Sequence, residues 1–146
     1  MRQKFHKFID FSVTFILYWV AAVSLHEMAH ALTGQALGWT ASVSYPNPFA
    51  GWVSFPQWQQ IPFIHVVLIA FAGGATVCVL YLILSHYTED WETDMVLWFF
   101  APMHGIYAIF EVGYIVHVIP LWVLASIPVL PAVIIWMLKL KHEGRI

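Results

Sequence analysis

Basic residues are missing from almost the whole chain. All six Lys and Arg residues lie near the two ends, and none occurs between positions 8 and 138. Charged residues make up only 10% of the sequence, whereas a soluble domain carries about 25%. Because the net charge is −2 and no basic stripe exists, we expect no nucleic-acid partner. By the positive-inside rule, the basic ends predict that both termini are cytoplasmic and that the number of spans is even.

Cysteine is nearly absent as well. The single one, Cys78, excludes an intramolecular disulfide and lies in an apolar run, where a packing role is expected. Apolar residues, in contrast, make up 61% of the 146 residues, and the mean hydropathy is +0.76. The composition therefore predicts a single-domain, multi-pass integral membrane protein whose surroundings are the lipid bilayer.

Four apolar segments reach the length of about 20 residues that a membrane-spanning helix needs. They run over about residues 8–33, 61–84, 95–118 and 120–140. The predicted fold class is an all-α integral membrane protein with about four transmembrane helices, and an even count agrees with the terminal charges. The short acidic stretch 85–94, between the second and third segments, is predicted to be a solvated turn.

The connection between the first two segments is long and aromatic. It covers about residues 34–60, and long loops in compact proteins are usually functional. Thr40–Tyr45 and Gly51–Phe55 read as two short strands around a Pro-rich turn, which predicts a membrane-associated β-hairpin. Its aromatic residues are typical of the membrane interface. Either the hairpin anchors the chain there, or its edge holds an extended peptide.

One short motif carries chemistry. His26 and His30 are four residues apart, so on a helix they share a face and can hold one metal ion together. Glu27 lies beside them and is suited to act as a general base. Ionisable residues in a membrane helix are costly and mark functional sites. The pattern therefore predicts a metal-dependent hydrolytic site within the first span.

A catalytic zinc ion usually has three protein ligands, so another helix must supply the third. Spans one and three run parallel, and the depth that matches the histidine pair falls near Glu111 on span three. Span two is antiparallel, and the same depth falls near His65. His104 lies about 10 Å deeper than Glu111 at a rise of 1.5 Å per residue. Depth therefore favours Glu111, then His65, then His104.

These segments resemble the site-2 protease family of intramembrane zinc metalloproteases. The resemblance is carried by Ser24-Leu25-His26-Glu27-Met28-Ala29-His30-Ala31-Leu32, by Gly38 before a β-prone loop, and by Phe71-Ala72-Gly73-Gly74-Ala75. It implies one zinc ion per chain bound by His26 and His30, with Glu27 as general base. It also implies an endopeptidase that cleaves transmembrane or membrane-associated protein substrates.

The chain departs from the family pattern in two respects. The family's third ligand is an Asp of a later span, where this sequence offers Glu111 instead. Family members also usually place the metal toward the cytosol, whereas cytoplasmic termini would place it toward the outer face. Two other functions stay open: a catalytically inactive relative that binds transmembrane partners, and a haem protein with axial histidines from separate spans. The haem hypothesis leaves Glu27 without a role.

Overall fold

The computed structural model describes the backbone at residues 2–115, 117, 120, 123 and 129–144, and the side chains of these residues from Ile9 onward. The described part is mostly helical and contains one small β-hairpin, as predicted. Its elements are α1 (Arg2–Ala36), β1 (Ser42–Asn47), β2 (Ala50–Ser54), a 3-10 turn (Trp58–Gln60), α2 (Phe63–Tyr87), α3 (Trp91–Ile115) and α4 (Val129–His142).

Three helices of the described part are long and apolar enough to cross a membrane: Ile9–Ala36 within α1, Phe63–Tyr87 and Trp91–Ile115. They correspond to the first three predicted spans, with the third beginning and ending a few residues earlier than expected. The fourth predicted span, 120–140, lies partly outside the described residues. Its described helix, α4, has 14 residues, which is shorter than a span needs.

The core lies where α1, α2 and α3 pack against one another. Phe100 of α3 is fully buried and contacts the rings of Phe15 and Trp19 on α1 and of Tyr81 on α2. The Tyr81 hydroxyl donates a 2.6 Å hydrogen bond to the Tyr18 carbonyl. In lipid, helices associate through such packing and interhelical hydrogen bonds. These contacts hold the three helices at defined relative depths, which positions residues that lie far apart in sequence.

The turn between α2 and α3 is shorter and less solvated than the sequence predicted. The third helix begins at Trp91, because the Asp90 carboxylate caps it by accepting a 2.9 Å hydrogen bond from the Thr93 N–H. Glu92 and Asp94 then lie in its first turn, where negative charge complements the helix dipole. Asp94 also forms an ion pair with Lys139 of α4. The prediction that 85–94 is a solvated turn was therefore wrong for 85–87, which end α2, and for 91–94, which begin α3.

The hairpin runs alongside α1. Its strands pair antiparallel, with Val43 opposite Val53, and an irregularity precedes the turn. Phe55, just after β2, packs at Gly34, whereas Phe49 at the tip contacts Trp19. Trp19 lies 17 residues before the end of α1, or roughly 25 Å at 1.5 Å per residue. The hairpin therefore lies against the C-terminal half of α1, between Trp19 and Gly34.

Candidate metal centre

The α1 helix brings the two motif histidines together. His26 and His30 are 6% and 5% exposed, and their Nε2 atoms lie 2.9 Å apart. Their rings pack edge to face with centroids 4.5 Å apart. This arrangement follows from the spacing of four residues, which places both side chains on one face of the helix. Both Nε2 atoms are therefore directed to a common point between α1 and α3.

The third helix contributes a carboxylate at that point. Glu111 Oε2 lies 3.3 Å from His26 Nε2, and Glu111 Oε1 lies 3.2 Å from His30 Nε2. Among the described residues, these three form the one group of His, Cys, Asp and Glu side chains whose ligand atoms are close enough to hold a metal ion. The structure therefore brings together the residue that depth matching favoured and the two motif histidines.

The donor atoms have the spacing that zinc requires. Zinc bonds to nitrogen and oxygen at about 2.0–2.1 Å, so the ligand atoms of a tetrahedral site lie about 3.3 Å apart. Each histidine nitrogen lies at about this distance from a different oxygen of the Glu111 carboxylate, and the 2.9 Å between the two nitrogens is shorter. The carboxylate oxygen Oε2 is buried and has no hydrogen-bond partner among the described residues. The residues present thus fit a zinc ion.

The tautomer of His30 also suits a metal ligand. Its Nδ1 lies 2.5 Å from the Ile69 carbonyl oxygen, and a carbonyl only accepts, so Nδ1 carries the proton and donates. In the neutral imidazole, Nε2 then keeps its lone pair and faces Glu111. A backbone carbonyl that fixes the orientation of a ligating histidine in this way is common around metal sites.

A glycine of α2 makes room for both rings. A Cβ on Gly73 would overlap the His30 imidazole and lie 2.9 Å from His26 Cε1. The neighbouring Gly74 instead faces α3, where a Cβ would lie 2.8 Å from Ala108. The small-residue patch of the second span therefore packs against both other helices. Its Gly73 shapes the histidine pair directly.

The other candidate ligands lie elsewhere. His65 accepts a 3.0 Å hydrogen bond from the Trp39 indole and is not part of the group. The ring of His104 lies 5.7 Å from that of His26, but its nitrogens do not join the three ligand atoms. His117 is exposed and follows the end of α3 with a φ of 60°. Of the three alternatives that depth ranked, only Glu111 faces both motif histidines.

Two cavities flank Glu27. The outer cavity, about 390 Å³, extends from the three candidate ligands toward the C-terminal end of α3, at Tyr114 and Ile115. The deep cavity, about 440 Å³, extends the opposite way, toward Trp19 and Met103. Both are lined by the same four residues where they meet, which are His26, Glu27, Gly51 and Tyr107. Each is in the size range of small-ligand pockets.

The hairpin covers the glutamate. A Cβ on Gly51 of β2 would lie 2.7 Å from Glu27 Cγ, so only glycine lets the strand pass this close. Tyr45 of β1 fastens the hairpin to α1 by donating a 3.2 Å hydrogen bond to the Ser24 carbonyl. The strand β2 therefore lies directly over the general-base candidate.

Sequence reasoning missed several contributors to this site. Gly51 and Gly73 carry no chemistry of their own, and the Ile69 carbonyl is invisible in a side-chain pattern. For Gly73, the Ala-Gly run predicted close packing against the motif helix but not its contact with the histidine rings. No protein-family model, curated protein or solved structure matches the chain. The functional interpretation therefore depends on the site itself.

Proposed function

We propose that the chain is an intramembrane zinc-dependent endopeptidase that hydrolyses peptide bonds in or near membrane-embedded proteins. The observation that carries the proposal is the convergence of two imidazole nitrogens and a buried carboxylate, at tetrahedral spacing, beside Glu27 and two cavities. His26, His30 and Glu111 would hold one zinc ion. Bound there, zinc would supply a Lewis acid that makes water more acidic and polarises the carbonyl under attack.

Glu27 has the position of the proton carrier. It is adjacent to His26 in sequence and lines both cavities, so it reaches the space where a substrate would meet the candidate ligands. Its carboxylate would accept a proton from the attacking water as the oxygen bonds to the scissile carbonyl carbon. The same group would then deliver the proton to the leaving nitrogen as the carbon–nitrogen bond breaks.

Strand β2 would present the substrate in extended form. A helical substrate hides its peptide bonds in hydrogen bonds and must unwind before it can be cleaved. Non-helical backbone at membrane depth is tolerated where it lines a cavity, and β2 lines both cavities along residues 50–53. An extended segment that pairs with the edge of β2 opposite β1 would pass beside Gly51 and Glu27.

The decisive variant is Glu27→Gln, tested for cleavage of a membrane-protein substrate in detergent or liposomes. We expect zinc to be retained and turnover to fall roughly 10²- to 10⁴-fold, the usual contribution of a general acid–base. Glu111→Gln should lose zinc and activity together, because it removes a charged ligand. Glu89→Gln, at an exposed acid outside the site, is the matched control and should keep both. Cleavage by Glu27→Gln at the wild-type rate would refute the mechanism.

The same contacts also suit a protein without catalysis. If the histidines were protonated, the 3.2 and 3.3 Å contacts with Glu111 would be ion pairs that hold α1 against α3. A membrane module that binds transmembrane partners without cutting them would then be the function. In that case no zinc would be retained, and Glu27→Gln would leave partner binding unchanged.

A further inference from the structure

Resting on the proposed function, we propose that the deep cavity is a specificity pocket that receives one bulky apolar side chain of the substrate, next to the bond that is cleaved. The cavity occupies about 440 Å³ and begins at Glu27 and Gly51. It ends against Trp19 and Met103, on the side opposite the outer cavity.

The walls of the pocket are apolar and come from three elements. Trp19 and Val23 belong to α1, Phe49 to the hairpin tip and Met103 to α3. Trp19 and Phe49 contact each other edge to face with centroids 6.5 Å apart, which closes one end. In lipid, such a pocket selects by packing against the side chain that fills it, so it favours large aliphatic or aromatic groups.

Besides His26, Glu27 and Tyr107, which line the cavity where it meets the outer one, one further polar residue, His104, lies among these walls. His104 is 8% exposed, and its Nδ1 has no hydrogen-bond partner among the described residues. A buried polar atom without a partner is costly, and natural proteins keep few of them. A mainly apolar pocket with a few polar groups is the usual arrangement of a site that orients a ligand. His104 therefore indicates that the cavity is built for an occupant and is more than a packing gap.

The path of the strand identifies the occupant as a peptide side chain. An extended segment beside β2 advances about 3.3 Å per residue, and its alternate side chains point to the same face. With the backbone held at Gly51, a side chain adjacent to the scissile bond would project into the deep cavity. The rest of the segment would follow the outer cavity along Val53 and Phe55. A lipid chain in the cavity would have no such relation to Glu27.

The test uses lysine-flanked synthetic transmembrane peptides with a central stretch of Ala, Gly and Ser, through which a single Phe is moved. Mass spectrometry of the products from wild-type enzyme should place the cleaved bond at a fixed offset from Phe. We expect kcat/KM to be roughly 10- to 200-fold higher with Phe than with Ala at that position. Val23→Phe, which fills the pocket, should bring this ratio to about 1 while zinc is retained. Val13→Phe, on the exposed face of the same helix, should keep the wild-type ratio.

A second readout does not require turnover. The same peptide with benzoylphenylalanine in place of Phe is irradiated in the presence of the Glu27→Gln protein. We expect cross-links at Met103 or Val23, and their loss in Met103→Phe, which fills the cavity from α3. Cross-links confined to the outer cavity or to lipid-facing residues would overturn the inference, as would cleavage at positions unrelated to Phe. Cross-links at Met103 without cleavage by the wild type would instead refute the proposed function and leave the pocket standing.

Discussion

The geometry of the two histidines depends on a residue with no side chain. His30 is held on one side by the Ile69 carbonyl, and Gly73, one turn further along α2, leaves space for its ring. Because Ile69 and Gly73 are four residues apart, they form one face of α2 that fits the histidine pair. The second helix thus orients the candidate ligands without contributing one.

This dependence predicts the effect of Gly73→Ala. The added Cβ would overlap His30, so the ring must move, and we expect roughly 10- to 100-fold weaker zinc binding, as for other losses of ligand support. A competition titration with a chelating dye measures this. Gly105→Ala is the matched control, because its Cβ would meet only Cys78 at the interface of α2 and α3. Equal zinc affinity for the two variants would contradict the account of Gly73.

Some residues of the site were visible in the sequence and others were not. His26, Glu27 and His30 form a local pattern whose meaning requires only a helix, and Glu111 followed from counting residues to the ends of the spans. The small residues around Gly73 predicted close packing against the motif helix. Its contact with the His30 ring was not predictable, because it depends on how the two helices pack. Local patterns record periodicity, whereas the space that a side chain occupies is decided by packing between segments.

At the scale of elements, the hairpin was also predictable only in part. Its two strands were expected from alternation and turn residues, and they form within two residues of the predicted positions. Its alignment along α1 was not predicted, because it depends on the contacts of Phe49 with Trp19 and of Phe55 at Gly34. Only this alignment carries Gly51 over Glu27.

The start of α3 yields a prediction on stability. Asp90→Ala removes the cap on the Thr93 N–H and should lower the free energy of unfolding by about 1 kcal/mol at pH 7. Hydrogen bonds from Thr93 lower the pKa of the Asp90 carboxyl from 3.8, so this stabilisation is complete above the unfolded pKa. It should be lost as the pH falls through the lower folded pKa.

Thermal unfolding in detergent across the acid range checks this. Glu89→Ala, which removes the adjacent exposed acid, serves as the control and should unfold at the wild-type temperature. If Asp90→Ala still unfolded at a lower temperature than the wild type below the folded pKa, by the same difference as at pH 7, the carboxylate would not stabilise the helix as a cap.

At the scale of the whole molecule, one ion pair joins the C-terminal helix α4 to the start of α3. Lys139 near the end of α4 contacts Asp94 in the first turn of α3 and lies 4.5 Å from the centre of the Trp98 ring. The end of α4 and the start of α3 therefore lie at the same level. This contact supports the proposal that the turn before α3 and the basic C-terminal end share one side of the membrane, as the terminal charges predict.

Single-cysteine labelling tests this topology in a Cys78→Ser background. We expect Glu89→Cys and His142→Cys to react with an impermeant maleimide only from the cytoplasmic side. Gln59→Cys, in the exposed turn after β2, should react only from the opposite side. Labelling of positions 89 and 142 from opposite sides would rule out the arrangement.

The most direct test of the central claim is the zinc content of the purified protein, measured by elemental mass spectrometry beside His30→Ala. The account predicts about one zinc ion per wild-type chain and close to none in the variant, because His30 supplies one of three ligand atoms. A wild-type protein that holds no zinc after supplementation would contradict it. The contacts of Glu111 with His26 and His30 would then be ion pairs between helices, and the endopeptidase would have no metal centre.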